Sequence, residues 1–175
     1  MTSEAAASVV ELKQDGDVLL VTINNPPVNA LGAAVRQGLV AAMEQADASA
    51  AVKAVLIVGQ GKAFIAGADI REFGKPPVAP FLPDVCNRIE ACTKPVVAVI
   101  HGAALGGGLE IAMSAHYRLA LPAAKLGLPE VSLGLIPGAG GTQRAPRLMG
   151  VKAATELMLS GSPLSAKAAQ AAGLV

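Results

Sequence analysis

A near-continuous apolar stretch, Pro95 to His101, runs straight into a glycine-rich one, Gly102 to Gly108, and then into a helical pattern reaching about Ala115. No other segment restricts the fold as much. A strand this apolar is buried on both faces, the habit of a parallel sheet covered by helices. Glycine lets the chain turn tightly and lets a ligand reach the main chain. The N–H groups at the start of the following helix have no intrahelical partner and sit at the positive end of its dipole. An earlier segment has the same order. Val52–Val58 reads as a buried strand, Gly59 to Asp69 as a glycine-bearing loop, and Asp69-Ile70-Arg71-Glu72 as a capping box opening a short helix. Two such loops facing one point would stabilise a developing negative charge.

The rest of the chain alternates in the same way. Val9–Lys13 and Val18–Ile23 are β-prone runs joined by Gln14-Asp15-Gly16-Asp17, a hairpin signal. Asn24-Asn25-Pro26-Pro27 ends the second run, because proline removes a donor and fixes φ. Leu31, Val35, Leu39, Ala42, Met43 and Ala46 recur at helical spacing and predict a helix over 31–48. Lys75 to Pro83 carries four prolines and reads as an irregular, mobile loop that follows on from the first glycine loop. Further helices are expected at Asp84–Cys92, Gly141–Leu148, Lys152–Ser160 and Ala166–Ala172, with a strand at Tyr117–Ala120. This order makes the chain an α/β protein. No linker and no exact repeat divides it, so residues 1–175 read as one domain. The sequence stops at Gly173-Leu174-Val175, directly after a helical pattern, and reads as a core cut short at its C-terminal end.

Composition narrows the function classes. Residues of apolar type make up 53% of the chain, which excludes global disorder. The aromatic residues are Phe64, Phe73, Phe81 and Tyr117, so the core must be built from Val, Leu, Ile and Ala. A net charge of +1 gives no support for a nucleic-acid partner. Cys86 and Cys92 match no zinc spacing and read as free thiols in a reducing compartment. Met1-Thr2-Ser3-Glu4 lacks the cationic, then apolar pattern of a secretory signal. Pro95–Leu109 is too short and too broken by glycine to span a bilayer. The expectation is a soluble, cytoplasmic protein with no membrane partner.

Two carboxylates stand out. Glu110 lies three residues beyond Gly107, in the first turn of the helix. Glu130 sits among apolar neighbours in Leu128-Pro129-Glu130-Val131, a setting that raises a carboxyl pKa and suits proton transfer near neutrality. Each has a plainer reading. Glu110 is also what a helix N-terminus favours, Glu130 is also an ordinary loop acid, and the glycines are also tight turns. His101 and His116 read as structural, and Asp69 as a helix N-cap rather than a catalyst.

Taken together the motifs are more specific. Ala63-Phe64-Ile65-Ala66-Gly67-Ala68-Asp69-Ile70, Lys94 to Glu110 and Leu128 to Thr142 resemble, in order, the enoyl-CoA hydratase/isomerase (crotonase) family. Within it, Gly67 to Arg71 and His116-Tyr117-Arg118 look most like the N-terminal part of multifunctional fatty-acid oxidation proteins. The resemblance implies a spiral of ββα turns with two near-perpendicular sheets and outer helices. It implies hydration of 2-trans-enoyl-CoA thioesters in fatty-acid β-oxidation. Glu110 and Glu130 would be the catalytic pair, and the N–H groups of Ala66 and Gly107 the oxyanion hole. Ala66, Gly67, Ala68, Asp69, Gly107 and Gly138 would line the substrate, with Gly138 helping to hold the attacking water. No metal or redox cofactor is implied; coenzyme A arrives as part of the substrate. A homo-oligomer, trimer or hexamer, is implied for the full-length protein through C-terminal helices.

Retention of both glutamates favours hydration. Glu130 alone would suffice for 3,2-trans-enoyl-CoA isomerisation, so that activity, or another acyl-CoA reaction on the same scaffold, is the alternative. A dinucleotide-binding domain fits less well, because the spacing is not G-x-G-x-x-G and Pro129 precedes the acid. A non-catalytic scaffold would have no need of the two glutamates.

Overall fold

The computed structural model describes residues 8–72 and 74–175. The N-terminal Met1–Glu4 reading and Phe73 therefore lie outside the described residues. Two strands, β1 (Val10–Asp15) and β2 (Val18–Ile23), form an antiparallel hairpin. From there the chain repeats one gesture. A strand enters the first sheet, a short strand enters a second sheet, and a helix returns. After α1 (Ala33–Ala48) come β3 (Ala54–Gly59), β4 (Ala63–Ile65) and α2 (Leu82–Glu90). Then follow β5 (Val96–Ile100), β6 (Ala103–Leu105) and α3 (Gly107–Ser114). Last come β7 (Tyr117–Ala120), β8 (Lys125–Gly127) and α4 (Gly141–Met149), before α5 (Val151–Ser160), β9 (Leu164–Ser165) and α6 (Ala166–Ala171). The first sheet has the order β1-β2-β3-β5-β7 and the second β4-β6-β8-β9. β2, β3, β5 and β7 run parallel, as do β4, β6 and β8.

The resemblance implies two sheets, but reading the residues alone places no strand of the second one. β4 and β6 lie inside segments read as glycine loops, and β8 and β9 were not expected. Each has only two or three residues, too few for alternation to register. The structure also moves some boundaries. β1 extends to Asp15, and α2 begins at Leu82 rather than Asp84, so Pro83 sits in its first turn, where a proline loses no hydrogen bond. The capping box is only half formed. Asp69 accepts from the Arg71 N–H (3.0 Å), but a 3-10 turn, Ile70–Glu72, follows. Glu72 turns away to cap a different helix, accepting from the Ala33 N–H at the start of α1 (2.6 Å).

The core is aliphatic, as the scarcity of aromatics required. Val35, Leu39, Ala42, Met43 and Ala46 of α1 are buried at helical spacing, and Leu39 and Met43 are fully enclosed. Each large side chain so enclosed contributes about 1.5–3 kcal/mol. Small residues bring layers together at α3. A Cβ on Gly108 would collide with the Ile65 carbonyl oxygen, so only glycine lets this helix lie against β4. Every residue of α3, Glu110 included, is buried. The proline segment is irregular from 74 to 81, and its carbonyls are held. Buried Arg36 donates to Val78 O and Pro80 O and pairs with Glu72 at 2.8 Å, while Gln37 donates to Ala79 O. Among the described residues no helix is long and apolar enough to cross a membrane.

Candidate active site

The second strand of each turn delivers the chain to one place. β4 leads into Ala66-Gly67-Ala68, β6 into Gly106-Gly107, and the 3-10 turn Pro129–Leu133 follows β8. These ends, with Gly138 and Ala139, surround a cavity of about 340 Å³ into which both Glu110 and Glu130 face. Ile70, Leu82, Leu133 and Leu135 supply its apolar wall. Sequence and structure thus agree in bringing Ala66, Gly67, Ala68, Gly107, Glu110, Glu130 and Gly138 together.

Glu110 is 2% exposed. Its Oε1 accepts from the N–H of Ala139 (2.7 Å) and of Gly141 (2.8 Å). The sequence placed this carboxylate over the N–H groups of its own helix; the amides that grip it instead open α4. Burial pushes its carboxyl above the ordinary range, while the two amides and the Arg144 cation oppose the shift. Glu130 is also raised by burial, and the neighbouring Glu110 raises it further. Its Oε2 is buried with no hydrogen-bond partner among the described residues. An unpartnered buried carboxyl oxygen is costly, and it faces a cavity where a ligand or water can meet it.

One expected role is corrected. The Ala66 N–H donates to Val28 O at 3.1 Å, so it is occupied and cannot serve an oxyanion. Leu31 N–H in turn donates to Gly67 O (2.9 Å). The segment 28–31 therefore grips alternate peptide groups of the loop. It leaves the Ala68 N–H without a backbone partner among the described residues, and the same holds for Gly107 at the start of α3. Gly67, at φ +124°, turns the intervening peptide in a way that L residues rarely adopt. Two free N–H groups therefore border the cavity, from Ala68 and Gly107. Asp69 is corrected as well. It does not line the cavity, and its carboxylate is turned to the Arg71 guanidinium (2.7 Å), which holds it down to about 2.

Sequence reasoning missed Asn29. It is 2% exposed, at φ 55°, and its Nδ2 donates to Gln60 O (2.9 Å), Ala63 O (2.8 Å) and Phe64 O (3.2 Å). It anchors β4 to the strip that shapes the loop. An asparagine after two prolines was its only signal. The histidines are structural: His116 Nδ1 accepts from Val96 N–H (2.8 Å), and His101 Nε2 lies 2.9 Å from Gly61 O. Cys86 and Cys92 are free and buried. The dinucleotide reading fails on topology, since β6 leaves the first sheet between β5 and α3.

Comparison with known proteins shows the family. Residues 13–175 match the family model described as enoyl-CoA hydratase/isomerase. The peroxisomal bifunctional enzyme of Danio rerio is 52% identical over 158 residues, 90% of this chain and 22% of that protein. A peroxisomal fatty acid beta-oxidation multifunctional protein of Oryza sativa is 47% identical over 95% of this chain and 24% of its own length. The probable enoyl-CoA hydratase of Bacillus subtilis is 46% identical over 96% of this chain and 68% of its own. The chain thus spans about a quarter or less of these multifunctional relatives and about two thirds of the bacterial one. The crystal structure of enoyl-CoA hydratase from Bacillus anthracis superposes with a TM-score of 0.90 at 36% identity, covering 95% of this chain and 68% of that one. Matched along nearly its whole length in sequence and in fold, the chain belongs to the enoyl-CoA hydratase/isomerase family.

Proposed function

We propose that the chain adds water across the 2,3 double bond of a 2-trans-enoyl-CoA thioester. One observation carries this reading: two carboxylates with raised pKa values and two free N–H groups border a single apolar cavity. The thioester oxygen accepts from the Ala68 and Gly107 N–H groups. A water lies between Glu110 and Glu130. Its oxygen bonds to C3 as Glu110 takes one of its protons, and the π electrons move toward the thioester oxygen as an enolate. Glu130 delivers a proton to C2, and the enolate collapses. The carboxylates then exchange one proton before the next turnover. Each donor to the developing oxyanion is worth roughly 3–4 kcal/mol, because it is fixed before the charge appears. Gly138, beside Glu110, leaves open space for the water; a Cβ there would meet nothing nearer than Ile136 O at 3.9 Å.

The reaction draws on no cofactor beyond the coenzyme A that the substrate carries. The names of the multifunctional relatives support a place in fatty-acid β-oxidation. Isomerisation between 3- and 2-enoyl thioesters is the second reading, favoured by the unpartnered Oε2 of Glu130, which alone can move a proton between two carbons. A cytoplasmic location fits the bacterial relative, whereas the animal and plant relatives are named peroxisomal; fractionation with an antibody decides. Exposed Val151 and Leu159 on α5 support a homo-oligomer, which light scattering reads directly. The functional test is incubation with crotonyl-CoA and, separately, with a 3-enoyl-CoA. Appearance of 3-hydroxybutyryl-CoA supports hydration. Conversion of the 3-enoyl substrate alone supports isomerisation, and no turnover of either contradicts both.

A further inference from the structure

We propose that Arg144 is a positioning residue for Glu110: it fixes the turn whose N–H groups grip that carboxylate and ties it to α2. The kinetic consequence rests on the hydratase reading, while the geometry does not. Arg144 Nη1 donates to Ala139 O (2.9 Å), and the Arg144 main-chain N–H donates to Gly140 O (2.8 Å). Both carbonyls of the turn are thereby held by one residue. The amides on either side of them, Ala139 N–H and Gly141 N–H, are the two that donate to Glu110 Oε1. A planar peptide ties each carbonyl to the next residue's N–H, so the main-chain bond to Gly140 O aims the Gly141 N–H, while the guanidinium bond to Ala139 O fixes the Ala139–Gly140 peptide that lies between the two gripping amides. The other edge of the guanidinium reaches α2, donating from Nη2 to Glu90 Oε2 (2.7 Å) and Asn87 Oδ1 (3.1 Å).

The plainer reading is a surface ion pair, worth about 0–1 kcal/mol. Three observations oppose it. The Arg144 side chain is 12% exposed while its Glu90 partner is 56% exposed, so the cation is the inward member. Its Nη1 is spent on a carbonyl, which an ion pair does not require. And the guanidinium is packed directly over the Gly140 backbone, which at φ +96° is itself a position that favours glycine. A planar fork with several fixed donors can hold Ala139 O and Glu90 at once; a lysine ammonium cannot.

Among the described residues, three titratable or charged groups face Glu110. Arg144 of α4 favours its ionised form. Glu130, from the 3-10 turn, is the acid neighbour, and the charge of Glu110 raises its carboxyl. Cys86 of α2 is pushed up to about 12 by burial and stays neutral.

The test follows the Glu110 carboxyl carbon by NMR in protein labelled with 13C-glutamate, the signal being assigned with Glu110→Gln. Hydration of crotonyl-CoA is measured beside it across pH. In Arg144→Met, Glu110 should titrate at higher pH. The acid limb of kcat/KM should move the same way, and kcat should fall on the order of tenfold, the size of one weakened hydrogen bond to a charged group. KM should change little. Arg144→Lys keeps the charge but not the fork, so kcat should still fall while the titration stays nearer the parent's. Glu90→Gln leaves the cation without its counter-ion and should move Glu110 the opposite way from Arg144→Met. A folded Arg144→Met with unchanged titration and kcat overturns the proposal. So does an Arg144→Lys that matches the parent in both, which also decides the matter where Arg144→Met does not fold. A parent protein that hydrates nothing refutes the functional reading, while the NMR titration still tests the role of Arg144.

Discussion

Replacing Asn29 with alanine tests how the cavity is held in shape. The Asn29 side chain is the donor for two carbonyls in the interior, those of Ala63 and Phe64, whose residues are 6% and 0% exposed. Leaving a buried acceptor unpaired costs about 1–3 kcal/mol. The third carbonyl, of Gln60, is nearer solvent and adds little. Asn29 also has φ 55°, where alanine is strained by about 1–2 kcal/mol and asparagine is tolerated. The total is about 3–8 kcal/mol, with a fall in Tm of roughly 10 °C or more for a chain of this size. Thermal unfolding followed by circular dichroism reads it. Asn29→Gly removes the backbone strain and keeps the lost hydrogen bonds, so it should be more stable than Asn29→Ala. Because Asn29 anchors the strand that carries Ala66 to Ala68, kcat should fall in both variants at temperatures where they remain folded. An Asn29→Ala protein melting within about 2 °C of the parent would refute the reasoning, since one such degree corresponds to under half a kcal/mol. So would a glycine variant less stable than the alanine one.

Replacing the Ala68 amide with an ester removes a free donor, so kcat should fall by roughly 10²–10³ with little change in Tm; the same exchange at Ala66 removes its bond to Val28 and should lower Tm instead. Asp47 accepts from Thr93 N–H and Oγ1 and from Arg88, which hold its carboxyl below the usual range. Its stabilisation is present above the unfolded value near 3.9 and is lost as pH falls, so Asp47→Asn should lower Tm at pH 7 and match the parent increasingly below about pH 4. Glu130 has the opposite sign. Its raised folded value means that the ionised form costs stability above that value. Glu130→Gln should therefore melt higher than the parent at pH 8, with the gap closing as pH falls from the folded value toward the unfolded one of about 4.3 and absent below it, while activity is lost.

The first sheet was legible because its central strands are apolar runs of five or six residues and the helix beside them carries a clear period. Val18–Ile23 and Tyr117–Ala120 end where the sequence puts them. The second sheet entered only through the family resemblance, since Ala63–Ile65 and Ala103–Leu105 are short alanine-bearing stretches beside glycine and look like loop. Their pairing is set by contacts between turns distant in sequence. The two glutamates were visible through motif and apolar setting. The donor on the first loop was placed two residues early. Which amide is free depends on what Val28 and Leu31 take up, and nothing local in Ala66-Gly67-Ala68 reveals it. Arg144 and Asn29 were hidden for the same reason: their partners lie up to 57 and 35 residues away.

The central claim is that Glu110 and Glu130 share one water and act as a unit. The most direct measurement is kcat for crotonyl-CoA hydration in Glu110→Gln, Glu130→Gln and the double variant. Each single change should lower kcat by about 10²–10⁴ with KM nearly unchanged. The double variant should lose far less than the product of the two losses, because groups that act together are not additive. Full hydration by Glu110→Gln, or strictly multiplicative losses in the double variant, would contradict the account.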